Sequence, residues 1–324
     1  MGGDFAPSEI IAGAIVARDS LGVSIALVGR PEEIRAHGGG DFPIIEASEV
    51  IPMDADAGKS VRSMKDSSLV RAAEAVRDGK ASAMVSAGNT GATMASALLR
   101  MGRIKGVQRP AIATPIPVPG QDLPTVLLDA GANAECTADY LVQFAQMGAV
   151  FSRNRYGVSA PKVGLLSIGE EPTKGNPLVK ETHKLLATGD WIGSTGAVFV
   201  GNLEGRDIMT DAADVIVTDG FTGNVALKTL EGGMKALINA LLAAFESSDE
   251  AKAAASQLMP ALLPLYTQMD PDSHGGAMLL GVNGVCIISH GSSSVGAVVN
   301  AVRVAHEMVT GGVVEQLRSA ISPA

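Results

Sequence analysis

The chain has 324 residues, of which 46% are hydrophobic, 3% aromatic and 18% charged, and its formal net charge is −9 at neutral pH. This length provides a large core, in one α/β domain or in two smaller ones, and the acidic balance argues against broad affinity for nucleic acid. The two cysteines form neither a CxxC pair nor another metal-ligand pattern, which argues against a disulfide framework and a zinc site.

Targeting and membrane signals are weak. The first residues contain no basic segment followed by an apolar one, so no secretory signal is visible. Residues 275–302 carry no charged side chain, but their glycines and serines make them too polar and too flexible for lipid. We therefore expect a protein of the reduced cytoplasm.

Short apolar or β-branched runs alternate with longer helical patterns, which is typical of βαβ units and a mostly parallel sheet. The first predicted helix begins at Pro7, and further helices are predicted at residues 69–77, 92–101, 137–153 and 295–317. The predicted strands cover residues 23–29, 83–85, 111–116, 125–128, 162–166, 197–200, 213–217 and 285–288. The sequence therefore predicts an α/β fold, and we assign residues 1–324 to a single domain.

One segment, residues 225–269, interrupts the alternation because it contains no convincing strand. Apolar residues recur at helical spacing on either side of a polar turn at 247–250, which predicts a helical hairpin. Pro260 and Pro264 are expected to kink or break its second helix. Two helices as apolar as these need a surface that covers them. This surface could be a dimer seam, the protein's own sheet or, at the hairpin tip, a bilayer.

Four glycine-rich turns follow predicted strands, at residues 86–91, 167–176, 219–224 and 290–293. Because ligands bind at the carboxyl edge of an open parallel sheet, we expect these turns to gather there. Glycine permits close backbone approach, and N–H groups at helix starts attract anions. Each turn alone could be an ordinary helix cap, but together they favour a phosphate-like or carboxylate ligand.

The candidate ligand-binding residues lie in these turns and in similar ones near residues 4 and 133. They are Asp4, Ser86, Asn89, Thr90, Gly91, Asn133, Gly169, Asn176, Asp219, Thr222, Asn224 and Ser292. No turn matches the phosphate-loop pattern or a clean GxGxxG, so the standard fingerprints of ATP and NAD are missing and no cofactor is predicted. Carboxylates at turn positions, among them Asp129, do not demand a metal.

Three side chains are candidates for catalysis: the cations Lys174 and Lys228, and His290, which could polarise a carbonyl or phosphate. Each could instead be a solvated lysine or a structural histidine. Cys136 is read as a small inert hydrophobe rather than an acyl-carrying nucleophile, because no activating His or Asp motif lies near it.

Eight strings, in order along nearly the whole chain, resemble the PlsX-type phosphate acyltransferases of bacterial phospholipid synthesis. They lie at residues 1–7, 65–68, 86–92, 128–133, 169–175, 214–224, 275–281 and 290–293. In that family a short apolar strand usually precedes the Met-Gly-Gly-Asp string with which this chain begins. Without such a strand we expect a gap in the sheet or an exposed edge.

The resemblance implies reversible transfer of a fatty acyl group from acyl carrier protein to inorganic phosphate. It also implies a homodimer with a Rossmann-like, three-layer α/β/α core and a projecting helical pair, here residues 225–269. The acyl phosphate would pass to a membrane glycerol-3-phosphate acyltransferase, which favours a peripheral position at the membrane.

Phosphate is already an anion near neutral pH, so we expect direct attack on the thioester with no acyl-enzyme. An acidic carrier calls for a local basic patch, for which the candidates are Arg100, Arg103, Lys105 and Arg109, a run that could equally be a solvated face. Two rival interpretations are a phosphotransacetylase-like enzyme that uses short acyl-CoA and a non-catalytic lipid- or anion-binding protein. A decarboxylating dehydrogenase of similar topology is less favoured because no dinucleotide fingerprint is present.

Overall fold

A computed structural model describes residues 1–270 and 275–321. The helices are α1 (Ser8–Leu21), α2 (Pro31–Ala36), α3 (Ala57–Ser63), α4 (Ser68–Arg77), α5 (Thr90–Ser96), α6 (Ala138–Tyr156), α7 (Pro177–Thr188), α8 (Gly220–Phe245), α9 (Asp249–Met269), α10 (Val295–Thr310) and α11 (Val313–Ile321). The strands are β1 (Leu27–Gly29), β2 (Ile44–Glu46), β3 (Ala83–Ser86), β4 (Ala111–Ile116), β5 (Thr125–Leu128), β6 (Lys162–Leu166), β7 (Val198–Leu203), β8 (Val215–Val217), β9 (Ala277–Leu280) and β10 (Val285–Ile288).

Eight strands form one sheet in the order β3-β10-β9-β4-β5-β8-β6-β7, while β1 and β2 pair in parallel as a separate two-stranded sheet. Neighbours are parallel at β3–β10, β5–β8, β8–β6 and β6–β7, and antiparallel at β10–β9, β9–β4 and β4–β5. As a consequence β3, β4 and β10 run in one direction, and β5, β6, β7, β8 and β9 run in the other.

Helices cover both faces of this sheet because its strands alternate their apolar side chains between the two faces. In β5, Val126 and Leu128 face a core shared with α6, α10 and α11, whereas Leu127 faces the core beneath α8. The helix α1 packs outside α10 through Gly13, where an added Cβ would lie 2.5 Å from the Cβ of Val298. The three-layer α/β/α prediction is confirmed.

The structure differs from the predicted elements in several places. The predicted C-terminal helix is two helices, because Gly312 adopts a left-handed φ of +66° between α10 and α11. The predicted strand at 23–29 is reduced to β1, which pairs only with the three residues of β2. The helices α2, α3 and α7 and the strands β2 and β9 have no counterpart among the predicted elements.

The predicted hairpin is present as α8 and α9, joined at residues 246–248. The helix α9 continues through Pro260 and Pro264, so the predicted break is not found. Each proline removes one helical N–H donor, but Ser256 and Pro260, whose carbonyls lose a partner, are exposed to water. Within residues 1–270 and 275–321, no helix combines the length and apolar character that crossing a membrane requires.

Candidate functional site

The glycine-rich turns lie at two opposite edges of the sheet. The turns after β3 and β10 are at one edge, and the turns after β5, β6 and β8 are at the other, because these two groups of strands run in opposite directions. The expectation that all of them gather at a single carboxyl edge is therefore wrong. It assumed a uniformly parallel sheet, whereas β9, β4 and β5 pair antiparallel in the middle.

At the first edge, the N-terminal segment joins the turns after β3 and β10. The backbone N–H of Asp4 donates to the carbonyl of Gly291 over 2.8 Å, and a Cβ on Gly3 would lie 2.8 Å from the carbonyl oxygen of Ala87. The predicted residues that this edge brings together are Asp4, Ser86, Asn89, Thr90, Gly91, His290 and Ser292. The side chains of Asp4, Thr90, His290 and Ser292 are exposed there.

Two predicted donors at this edge are occupied within the protein. Asn89 caps α5 by accepting from Ala92 N (2.8 Å), and its amide nitrogen donates to the carbonyls of Pro52, Met53 and Ala55 at 3.2, 2.8 and 3.2 Å. The buried Ser86 hydroxyl contacts Thr93 Oγ1 at 3.0 Å and accepts from Gly88 N. Both side chains shape the turn, and neither presents an unused donor to a ligand.

At the second edge, the turn after β5 meets the start of α8. Asp129 is fully buried, and its carboxylate accepts from the N–H groups of Ile112, Gly131, Ala132 and Asn133 and from the Asn133 amide. Burial raises the pKa of Asp129, while the hydrogen bonds from these donors act in the opposite direction. Asp129 therefore holds the turn and does not face a ligand.

The first turn of α8 packs directly on the turn that follows β5. A Cβ on Gly223 would clash with the Asp129 carbonyl oxygen, so only glycine permits this approach. Asp219 caps the helix by accepting from Thr222 N (2.9 Å) and from the Thr222 hydroxyl (2.8 Å). The cap occupies part of the helix start with a negative charge, which opposes the expected binding of an anion at this point.

The helix α8 connects the two edges. Asn224, Lys228 and Glu231 are spaced i, i+4 and i+7 and so share one face over about 10 Å of helix. Asn224 lies against Gly131 at the second edge. At the first edge Glu231 Oε2 accepts from Lys228 Nζ over 2.7 Å, and its Oε1 is 3.5 Å from His290 Nε2.

Glu231 was missed in the sequence because it belongs to no glycine-rich turn. The signal was its position three residues after Lys228, where opposite charges form a pair on a helix. Partial burial acts to raise the pKa of Glu231, but the hydrogen bonds and charges of His290 and Lys228 outweigh it, so the pKa is lowered.

Lys174 is not part of this arrangement. It lies exposed in the turn after β6, its side chain covers the buried Gly169, and Asn176 caps α7 by accepting from Val179 N. The turn is at the same edge as the start of α8, because β6 pairs in parallel with β8. Among the hydrogen bonds and ion pairs of the described residues, none joins this turn to α8 or to Asn89.

The cysteines are poor nucleophiles here. Burial raises the pKa of Cys136 to about 11 and that of Cys286 to about 12, so both thiols are protonated near neutral pH. Cys136 Sγ lies 3.6 Å from the Asn133 carbonyl. Within the described ranges, no group of three His, Cys, Asp or Glu side chains is arranged to hold a metal ion.

The predicted basic patch is partly used internally. Arg100 lies 3.7 Å from Glu74, Arg103 donates to the Gln108 carbonyl, and Arg109 stacks over Tyr140. Lys105 is exposed. The segment that carries these basic residues ends beside the second edge, where the carbonyl of Pro110 accepts from the Asn133 amide.

Residues 1–316 match the model of the family described as "Fatty acid synthesis protein". The chain belongs to this family. Similar proteins include the phosphate acyltransferase of Pelotomaculum thermopropionicum, 47% identical over 99% of this chain and 93% of that protein. The phosphate acyltransferase of Elusimicrobium minutum is also 47% identical, over 99% of this chain and 94% of that protein.

The fold of this fatty acid synthesis protein family member is also found in a solved phosphotransacetylase from Streptococcus pyogenes, with a TM-score of 0.62 at 17% identity. The similarity covers 94% of this chain and 91% of that one, and at this identity it shows a shared fold only. The resemblance predicted from the eight strings is confirmed, and the chain is an acyltransferase.

Proposed function

We propose that this acyltransferase moves a fatty acyl group reversibly from acyl carrier protein to inorganic phosphate and forms an acyl phosphate for phospholipid synthesis. The observation that carries the proposal is the face of α8 on which Asn224 and Lys228 lead toward His290, with no activated nucleophile beside them. Such a surface suits binding of an anion and stabilisation of developing charge. The relatives named phosphate acyltransferases support the same reaction class.

The chemistry requires positioning more than activation. A phosphate oxygen forms a bond to the thioester carbonyl carbon, the carbon–sulfur bond breaks, and the thiolate leaves with its electron pair and takes a proton from water. Lys228, Asn224 and Thr90 are exposed donors that can hold phosphate or the developing oxyanion, and one such preorganised donor is worth about 3–4 kcal/mol of barrier. Lys174, at the edge where α8 begins, remains a candidate for the same task.

The acyl chain needs an apolar wall, for which the α8–α9 hairpin is the candidate. Its large apolar side chains are unusually exposed, with Leu237 at 71% and Leu263 at 56%. We propose that residues 225–269 form the seam of a homodimer and that the hairpin tip contacts the membrane surface. This cytoplasmic, peripheral position would bring the product to a membrane glycerol-3-phosphate acyltransferase.

The acidic carrier protein is proposed to dock beside Lys105. The chain carries a net charge of −9, so the carrier would be repelled unless it meets a local basic surface. Lys105 and Arg103 are exposed at the end of the sheet that also holds Asn133. Arg100 contributes less to such a surface, because its guanidinium already faces Glu74.

A second candidate function is phosphotransacetylase-like transfer from short acyl-CoA, which the shared fold favours. Purified protein supplied with long- and short-chain donors, on acyl carrier protein and on CoA, separates the two. Release of free thiol is measured with and without phosphate. A non-catalytic lipid- or anion-binding protein would release no thiol with any donor.

A further inference from the structure

Two candidate catalytic side chains, Lys228 and His290, meet at a single carboxylate. Lys228 comes from α8, one turn before Glu231, whereas His290 comes from the turn after β10, 59 positions further along the chain. The side chain of Glu231 is 24% exposed, compared with 52% for Lys228 and 49% for His290. The Glu231 carboxylate thus lies beneath two side chains that are more open to solvent.

This contact differs from an ordinary surface ion pair. An exposed pair within one helix contributes little and leaves both side chains free to move. Glu231 has a second partner, His290, from a separate segment. It therefore links α8, whose first turn packs on Asp129, to the turn after β10, which packs on Asp4. The negative charge on Glu231 also offsets part of the positive charge that an anionic substrate would meet.

We propose that Glu231 is a positioning residue, which fixes Lys228 and His290 relative to each other for the acyl transfer to phosphate. The inference rests on the proposed function, because it assigns Lys228 and His290 to that reaction. A carboxylate placed here cannot itself bind phosphate, since like charges repel. Its contribution is geometric, and it is exerted through Lys228 and His290.

The position of Glu231 predicts how its substitution changes kcat and KM. Glu231→Gln removes the charge but keeps the side-chain length, so Lys228 and His290 lose their common anchor while the local positive charge increases. We expect kcat to fall by between about tenfold and a hundredfold, with the KM for phosphate unchanged or lower. A residue that acted only on stability would leave both constants of the folded protein as they are.

The test measures phosphate-dependent thiol release by Glu231→Gln, by His290→Ala and by the double variant, with Glu181→Gln on the exposed surface of α7 as the matched control. Loss of kcat in Glu231→Gln, with a loss in the double variant that is smaller than the product of the two single losses, supports the inference. A kcat within about twofold of wild type, or additive losses in the double variant, overturns it.

A second measurement does not depend on turnover. Hydrogen–deuterium exchange in residues 289–294 should become faster in Glu231→Gln and stay unchanged in Glu181→Gln. Unchanged exchange shows that Glu231 does not hold this turn and overturns the inference. If the wild-type protein releases no thiol while exchange responds as expected, the proposed function fails and the anchoring by Glu231 stands.

Discussion

The side-chain nitrogen of Asn89 donates to the Met53 carbonyl over 2.8 Å, and it makes two further bonds, to the carbonyls of Pro52 and Ala55. One amide therefore caps α5 and also fixes the segment that leads into α3. A residue singled out as a ligand donor is a structural anchor of the candidate site.

Asn89→Ala should lower the free energy of unfolding by about 2–4 kcal/mol, since it removes a helix cap together with the buried amide that donates to three backbone carbonyls. Asn176→Ala is the matched control, because Asn176 caps α7 from an exposed position and should cost only about 1 kcal/mol. Urea denaturation gives both values. Equal losses for the two variants would contradict the anchoring role of Asn89.

A pH-dependent contribution to stability is expected from Asp66. Hydrogen bonds from the Ser48 hydroxyl and N–H and from Arg71 lower the pKa of Asp66 to about 2, compared with 3.8 ordinarily. Because its pKa is lower in the folded state, Asp66 favours folding above about pH 4, and this contribution disappears as the pH falls toward 2.

The measurement compares wild type with Asp66→Asn by urea denaturation between about pH 6 and pH 3. The difference in unfolding free energy should shrink as the pH falls. A difference that is constant over this range would show that the Asp66 carboxylate is not stabilised by its partners.

Several helices could be predicted because their patterns are local, whereas α2, α3 and α7 were not predicted. Local sequence patterns were enough to predict α6, the two helices of the hairpin and the helix that begins near Pro7 and Ser8. The strand β9 was not, because its four residues lie between glycines in a segment that reads as turns. Its apolar side chains carry no periodicity that distinguishes a strand from a buried turn.

The arrangement of the site was harder to predict, because strand direction is not encoded locally. The positions of the turns after β3, β5, β6, β8 and β10 along the chain were correct, but whether they meet depends on antiparallel pairing through β9 and β4. Nothing in the residues near Lys174 or Asn89 reveals that reversal. The link between Glu231 and His290 likewise depends on where α8 crosses the sheet.

Cys136→Ala should retain activity. The thiol is protonated near neutral pH because its pKa is about 11, and direct attack by phosphate needs no acyl-cysteine. We expect a kcat within about twofold of wild type, measured on protein whose circular dichroism is unchanged. A folded variant with essentially no turnover would establish Cys136 as a covalent nucleophile and contradict direct displacement.

Charge reversal of the Arg103 and Lys105 pair should weaken recognition of the acidic carrier. The double change to glutamate is expected to raise the apparent KM for the acyl carrier about fivefold to tenfold at low salt, and less at high salt, because exposed charges are screened. Lys180→Glu with Lys184→Glu on α7 makes the same change in charge at another exposed surface. An unchanged KM in the Arg103 and Lys105 variant rejects this surface.

In the proposed reaction, phosphate bound along α8 attacks an activated fatty acyl group directly. In the decisive experiment, the purified protein is incubated with acyl carrier protein that carries a long-chain acyl group. The appearance of free thiol is measured as the concentration of inorganic phosphate is varied. Direct attack by phosphate predicts that thiol release increases with phosphate until it saturates, and that an equal amount of acyl phosphate forms. Thiol release that is the same with and without phosphate would contradict it.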